Sequence, residues 1–232
     1  MSGAALPGNM NDLAGTTSHR TIEEPFSINL NALRDAQVTS MPFPFVIVPG
    51  FVQEIAHEAI SADFPIVQHP GSFPLSTLEY GAAFQTFIDE IQGPDMIAAV
   101  SKKFEIDLSH SPTTVTVRGI SRKADGKIHS DSHTKLITAL IYMNDSWESP
   151  KGRLRLLRSP DNLEDVIAEV PPEQGTLLIF KNTPDAWHGF ESFSGPRRVI
   201  QLNWVTDDCV VQREQKRHQR SAFFKRLFGY AS

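Results

Sequence analysis

Across residues 51–63, apolar side chains at Val52, Ile55, Ala56, Ala59 and Ile60 recur at three- and four-residue intervals, with Gln53, Glu54 and Glu58 between them. A single apolar stripe on that repeat is the pattern of an amphipathic helix lying on a core. A second helical stretch is predicted over Gly81–Phe104, interrupted at Gly93-Pro94, because proline cannot donate to the helical ladder. Ahead of both, Met41-Pro-Phe-Pro-Phe-Val-Ile-Val-Pro-Gly50 is rich in β-formers and bounded by prolines, which predicts a short strand ending at Pro49.

From Thr113 the pattern changes to short β-rich runs, Thr113–Arg118, Lys135–Met143, Arg153–Leu157, Thr176–Phe180 and Arg197–Val205, separated by Gly, Pro, Asn, Asp and Ser. Helices first and antiparallel strands afterwards predict an α+β chain, with helices covering one face of a jelly-roll sandwich. Residues 1–24 mix small and polar side chains without apolar periodicity and read as a flexible N-terminal segment. A single domain is expected over 25–208, its sandwich core over about 113–205, followed by a basic amphipathic tail at 209–232.

Charge refines this picture. The formal net charge is −5, yet the tail holds six basic residues against Glu214 and is therefore +5, leaving a body of −10. An acidic body argues against a nucleic-acid partner. The tail, with Phe223, Phe224, Leu227 and Phe228 beside its cations, reads first as a helix docking on the acidic body; the other reading is weak contact with an anionic membrane surface or acidic partner. No run of residues is long and apolar enough for a membrane span. Cys209 is the only cysteine, which excludes an intramolecular disulfide and a thiolate zinc cluster and fits a reducing, cytoplasmic setting.

The densest chemistry lies in Ile128-His129-Ser130-Asp131. In an extended chain, side chains two residues apart share a face, so His129 and Asp131 can reach one metal ion. A second imidazole would complete a facial set of three ligands with open positions opposite. His188, in Asp185-Ala-Trp-His-Gly189, is the candidate. The plainer readings are a solvated turn for His-x-Asp and a buried histidine between Trp187 and Phe190 for His188. His133 is a further candidate ligand, read instead as a surface or site-mouth residue.

Taken in order, His129-Ser-Asp131-Ser, Lys135, Tyr142-Met-Asn144, Gly152-Arg-Leu154, Pro172-Glu-Gln-Gly175 with Phe180, His188-Gly189 and Gly195-Pro-Arg197 resemble the prolyl-4-hydroxylase-like branch of the iron(II)/2-oxoglutarate oxygenases. Upstream, Pro42-Phe-Pro-Phe-Val-Ile-Val and Asp63-Phe64-Pro65 resemble the N-terminal support region of bacterial members. Lys151-Gly152 departs from the Gly-Gly found in many of them. The resemblance implies Fe(II) held by His129, Asp131 and His188, with 2-oxoglutarate and O2 consumed, succinate and CO2 released and a substrate carbon hydroxylated. Asp131 in the carboxylate position favours hydroxylation over halogenation, since related halogenases carry a small residue there.

Gly-x-Arg spacing in the family points to Arg197 for the co-substrate, and strand alternation agrees. One face of 197–204 reads Arg197, Val199, Gln201 and Asn203, while the other reads Arg198, Ile200, Leu202 and Trp204. The first suits a polar site, where a planar guanidinium can take a carboxylate through two parallel hydrogen bonds. Arg198 is the fallback. Loops 65–80, 121–134 and 144–152 are expected to face a small-molecule or protein substrate. Competing functions are a catalytically silent sandwich serving as a binding module and a zinc hydrolase using the same three ligands. No Gly-x-Ser-x-Gly or His-Glu-x-x-His motif supports a serine hydrolase or zinc metalloprotease.

Overall fold

A computed structural model describes Met1 and residues 26–212. The expected flexible segment and nearly all of the basic tail lie outside the described residues. Helices come first: α1 (Leu30–Asp35), α2 (Glu54–Ala62), α3 (Ala82–Ile91) and α4 (Pro94–Phe104), with strand β1 (Phe45–Val48) between α1 and α2 and the two-residue β2 (Phe73–Pro74) before α3. Strands β3 (Thr113–Ser121), β4 (Lys135–Tyr142), β5 (Leu154–Leu157), β6 (Val166–Val170), β7 (Leu177–Lys181), β8 (Trp187–Gly189) and β9 (Gly195–Val205) follow. The break expected at Gly93-Pro94 separates α3 from α4, with Pro94 in the first turn of α4, where its missing N–H costs nothing.

The strands form a six-stranded sheet in the order β1-β7-β4-β9-β3-β2 and a three-stranded sheet in the order β6-β5-β8, with antiparallel pairing throughout. Alternation along the larger sheet feeds two cores. Ile137, Ala139 and Ile141 of β4, with Ile200, Leu202 and Trp204 of β9, pack against Phe84, Phe87, Met96 and Val100 of the helices. Leu140 and Tyr142 of β4, Phe180 of β7 and Val199 of β9 turn the other way and meet Leu154, Leu156 and Val170 of the smaller sheet. The α+β jelly roll expected from the sequence is therefore the observed architecture, with the helices on the outer face of the larger sheet.

Three elements differ from expectation. Strand β6 is not among the runs expected from the sequence; it is an edge strand whose residues are mostly half-exposed and whose one charged residue, Glu169, pairs with Arg155 of β5 at 2.8 Å. Strand β8 is only three residues long, too short for periodicity to show. The segment around His129 is extended as expected but belongs to no strand, joining β8 through one isolated antiparallel bridge between His129 and His188.

Candidate active site

That bridge builds the site. His129 N–H donates to His188 O at 3.0 Å and His188 N–H donates to His129 O at 2.9 Å, so residues 59 positions apart are locked opposite one another. Their rings lie 4.3 Å apart between centroids. Phe190 N–H donates to Gly126 O at 2.9 Å, a second tie between the two segments that falls one residue away from the Lys127 expected opposite it in regular pairing. Glycine is required on both sides of this crossing. Gly126 has φ +90°, and a Cβ on Gly189 would stand 2.9 Å from Gly126 O, a backbone atom that cannot swing away. Gly189→Ala should therefore part the two histidines and weaken Mn(II) binding by at least about tenfold while the protein stays folded, as titration calorimetry beside circular dichroism would read; the expected cost resembles that of losing a group that only orients a metal ligand.

Each ring is held by one nitrogen. His129 Nδ1 lies 2.9 Å from Lys127 O, and His188 Nδ1 lies 3.0 Å from Ala186 O. A carbonyl only accepts, so both Nδ1 atoms carry hydrogen and both Nε2 lone pairs are left free, the arrangement that a metal-ligating histidine requires. Asp131 supplies the third donor. Its Oδ2 accepts from Thr138 Oγ1 at 2.6 Å and its Oδ1 pairs with Lys135 Nζ at 2.7 Å. Candidate ligand atoms of His129, Asp131 and His188 all lie within 4.8 Å of one another.

The protonation states suit a cation. Burial pushes the Asp131 carboxyl up, but the Lys135 charge and the side-chain hydrogen bonds from Lys135 and Thr138 outweigh it and hold the group below the ordinary range, hence ionised. Burial, with the His129 ring adding to it, pushes the His188 imidazole down to about 4, so the ring is neutral and ready to ligate. A consequence for stability follows from the sign of that shift. As pH falls from His188's ordinary 6.5 towards 4, the unfolded chain binds a proton that the fold refuses, and metal-free protein should lose up to about 3 kcal/mol across that window. Urea unfolding at stepped pH, with His188→Asn lacking this slope, checks it.

A cavity of about 370 Å³ opens over the triad, bounded by β3, β4 and β9 on one side and by residues 124–127 on the other. Arg197 enters it from β9, 4% exposed, its Nε donating to Gly152 O at 2.9 Å and its guanidinium stacked 4.3 Å above the Phe190 ring. Among the described residues no carboxylate forms an ion pair with Arg197. Beside it, 5.5 Å from guanidinium carbon to ring centroid, stands the fully buried Tyr142. Its hydroxyl lies close enough to Arg197 to feel that charge, and among the described residues it has no acceptor for its own hydrogen. A lone buried cation beside an unpartnered hydroxyl is costly unless an anion with acceptor oxygens joins them.

The residues singled out from the sequence thus separate cleanly. His129, Asp131, His188 and Arg197 face one cavity. Arg198 lies on the opposite face of β9, its guanidinium 5.3 Å over the Phe64 ring and its backbone tied to Asn144. His133 is exposed in the turn before β4 and is not one of the clustered ligands. Loop 144–152 does not line the cavity; Trp147 packs against Phe193 at 4.7 Å instead. Ser72 and residues 124–127, from the other two loops expected to face substrate, do line it. Sequence reading assigned no role to Tyr142, Thr138 or Lys135, although counting alternate residues back from Tyr142 puts Leu140 and Thr138 on the cavity face with it.

Comparison with known proteins points in the same direction as this geometry. Residues 115–206 match the model of the 2OG-Fe(II) oxygenase superfamily. Among solved structures, a prolyl-4-hydroxylase from Pseudomonas putida is similar at 15% identity and TM-score 0.53, over 80% of this chain and 97% of that one. A viral collagen prolyl hydroxylase from Paramecium Bursaria Chlorella virus-1, solved as a 2OG complex, is similar at 14% identity and TM-score 0.50, over 70% and 96% of the two chains. At such identities the likeness is one of fold. No match was found among curated proteins. Over residues 115–206 the chain is thus similar to the 2OG-Fe(II) oxygenase superfamily, and its fold is similar to that of the two prolyl hydroxylases. Among the described residues no helix is long and apolar enough to cross a membrane.

Proposed function

We propose that this protein is a dioxygenase that hydroxylates a carbon of a small molecule or protein side chain, releasing succinate and CO2. In this reading His129, Asp131 and His188 are the iron ligands and Arg197 binds the distal carboxylate of 2-oxoglutarate, with Tyr142 Oη donating to the same group. The observation that carries it is the guanidinium of Arg197: a buried cation without a counter-ion among the described residues shares one cavity with a neutral-imidazole, ionised-carboxylate donor set. A zinc hydrolase has no use for that cation, and a silent binding module has no use for two free Nε2 lone pairs aimed beside an ionised carboxylate.

Bound Fe(II) would supply oxygen activation. The chain's own residues divide the remaining work. Thr138 fixes the orientation of Asp131, the Lys127 and Ala186 carbonyls fix both rings, and Leu140, Val199 and Phe190 give the co-substrate a partly apolar wall that limits water. A cytoplasmic location is part of this proposal, supported by a sequence that offers a single cysteine, Cys209, exposed at the surface. The test is anaerobic reconstitution with Fe(II), addition of 2-oxoglutarate and oxygen, and assay of succinate. Wild-type protein should form it, Asp131→Ala should not, and equal succinate from both would refute the assignment.

A further inference from the structure

The cavity holds more cation than the metal and co-substrate can match. Resting on the ligand assignment above, the charges pair off as follows. A dication would be met by Asp131 and the proximal carboxylate of 2-oxoglutarate, and Arg197 by the distal one. Arg118, which also lines the cavity, is already satisfied: Nη1 donates to Asp125 Oδ2 at 2.7 Å and Nη2 to Ser72 Oγ at 3.2 Å. Lys135 is left over. Among the described residues its only carboxylate partner is Asp131, through Oδ1, and a metal bound to Asp131 would claim the negative charge of that carboxylate. The Lys135 side chain is 19% exposed, so the stranded ammonium is neither deeply buried nor freely solvated.

Its place in the cavity is built by the backbone. Strand β4 pairs Lys135 with Val205 and Ile137 with Trp204, so one extra residue is inserted against β9 at this point. Leu136 and Ile137 consequently both pack on the helix side of the sheet, and Lys135 lines the opposite face with Thr138 and Leu140. With regular alternation Lys135 would share the face of Ile137, Ala139 and Ile141, inside the helical core. A bulge of this kind re-aims one side chain, and the chain it re-aims here is a cation set beside the reaction centre.

We propose that Lys135 is a substrate-binding residue and that the substrate of this enzyme carries an anionic group, a carboxylate or a phosphate, which takes the place of Asp131 as the partner of Lys135 once metal and 2-oxoglutarate are bound. The hydroxylated carbon then lies a short distance from that group. Lys127, exposed at the cavity rim, adds a second cation on the approach.

The probes are propionate and methyl phosphate, each against neutral propionamide, added to protein loaded with Mn(II) and excess 2-oxoglutarate. Paramagnetic broadening of the probe's proton lines reads proximity to the metal, and Mn(II) electron paramagnetic resonance reads occupancy in every sample. Broadening of at least one anion should exceed that of propionamide by about tenfold, the scale of one hydrogen bond to a charged group. The better-broadened anion identifies the group. Lys135→Met and Lys135→Gln should reduce the effect to the propionamide level, and Lys135→Arg should keep it. Equal broadening of acids and amide in wild-type protein overturns the inference, as does anion broadening that persists in Lys135→Met, which would mean direct ligation of the metal. Absence of Mn(II) binding to wild-type protein would instead strike at the ligand assignment itself.

Discussion

Arg197→Met should weaken 2-oxoglutarate binding by roughly 10²- to 10³-fold, equivalent to about 3 to 4 kcal/mol, because truncation would leave a buried carboxylate with no cation to meet it. The guanidinium enters the cavity 4% exposed and pinned through Nε to Gly152 O, so its two terminal nitrogens are presented as a ready fork. Lysine cannot reproduce that fork, and Arg197→Lys should recover only part of the loss. The same substitution has an opposite effect on the empty protein. A cation buried without a counter-ion costs stability, so Arg197→Met should not lower the unfolding free energy of ligand-free protein even as it removes binding. Arg198→Met, on the helix side, should leave 2-oxoglutarate affinity within about twofold. Calorimetric titration with 2-oxoglutarate and urea unfolding of the three variants read both halves; destabilisation of the apo protein by Arg197→Met together with unchanged affinity would contradict the assignment.

The second large effect concerns the metal. Asp131→Ala should lower affinity for Fe(II) or Mn(II) by more than about 100-fold, beyond what altering outer-shell support costs. Three candidate donors lie within 4.8 Å of one another, and only Asp131 brings a negative charge. His129→Ala and His188→Ala should cost comparably in affinity but differ in stability. His188 is buried among Phe180, Leu156 and the His129 ring, so its loss opens a void. His129 is exposed, and its replacement should leave the unfolding midpoint nearly unchanged. Metal-dependent shifts in melting temperature would separate the two: His129→Ala keeps the wild-type apo value and loses the shift, whereas His188→Ala lowers both.

Much of the site was legible because a strand's alternation survives into the fold. Arg197, Val199, Gln201 and Asn203 share the cavity face, and Ile200, Leu202 and Trp204 the helical face, as counting by two along 197–204 requires. The pairing of His129 with Asp131 was legible for the same reason. What could not be read depends on where strands meet. Strand β8 is recognisable only through its pairing with β5 and the His129 bridge, and a three-residue element has no period of its own. Strand β6 is a five-residue, half-exposed edge; its Val166, Ile167 and Val170 are β-formers, but the run is short and set between the charged Glu164-Asp165 and the prolines at 171 and 172. Lys135 is the sharpest case. Alternation counted along 135–142 places it in the helical core, and only the inserted residue opposite Trp204 brings it to the cavity. Tyr142, by contrast, lay within reach of the same counting that found Arg197, and what gives it meaning is the unpartnered hydroxyl beside that guanidinium.

One experiment bears on the central claim without passing through turnover. Crystals grown anaerobically with Mn(II) and 2-oxoglutarate should give a single strong anomalous peak within bonding distance of His129 Nε2, His188 Nε2 and an Asp131 oxygen, with 2-oxoglutarate chelating the ion and its far carboxylate on Arg197. A peak bonded to fewer than two of those side chains, or a co-substrate whose distal carboxylate lies away from Arg197, would contradict the account.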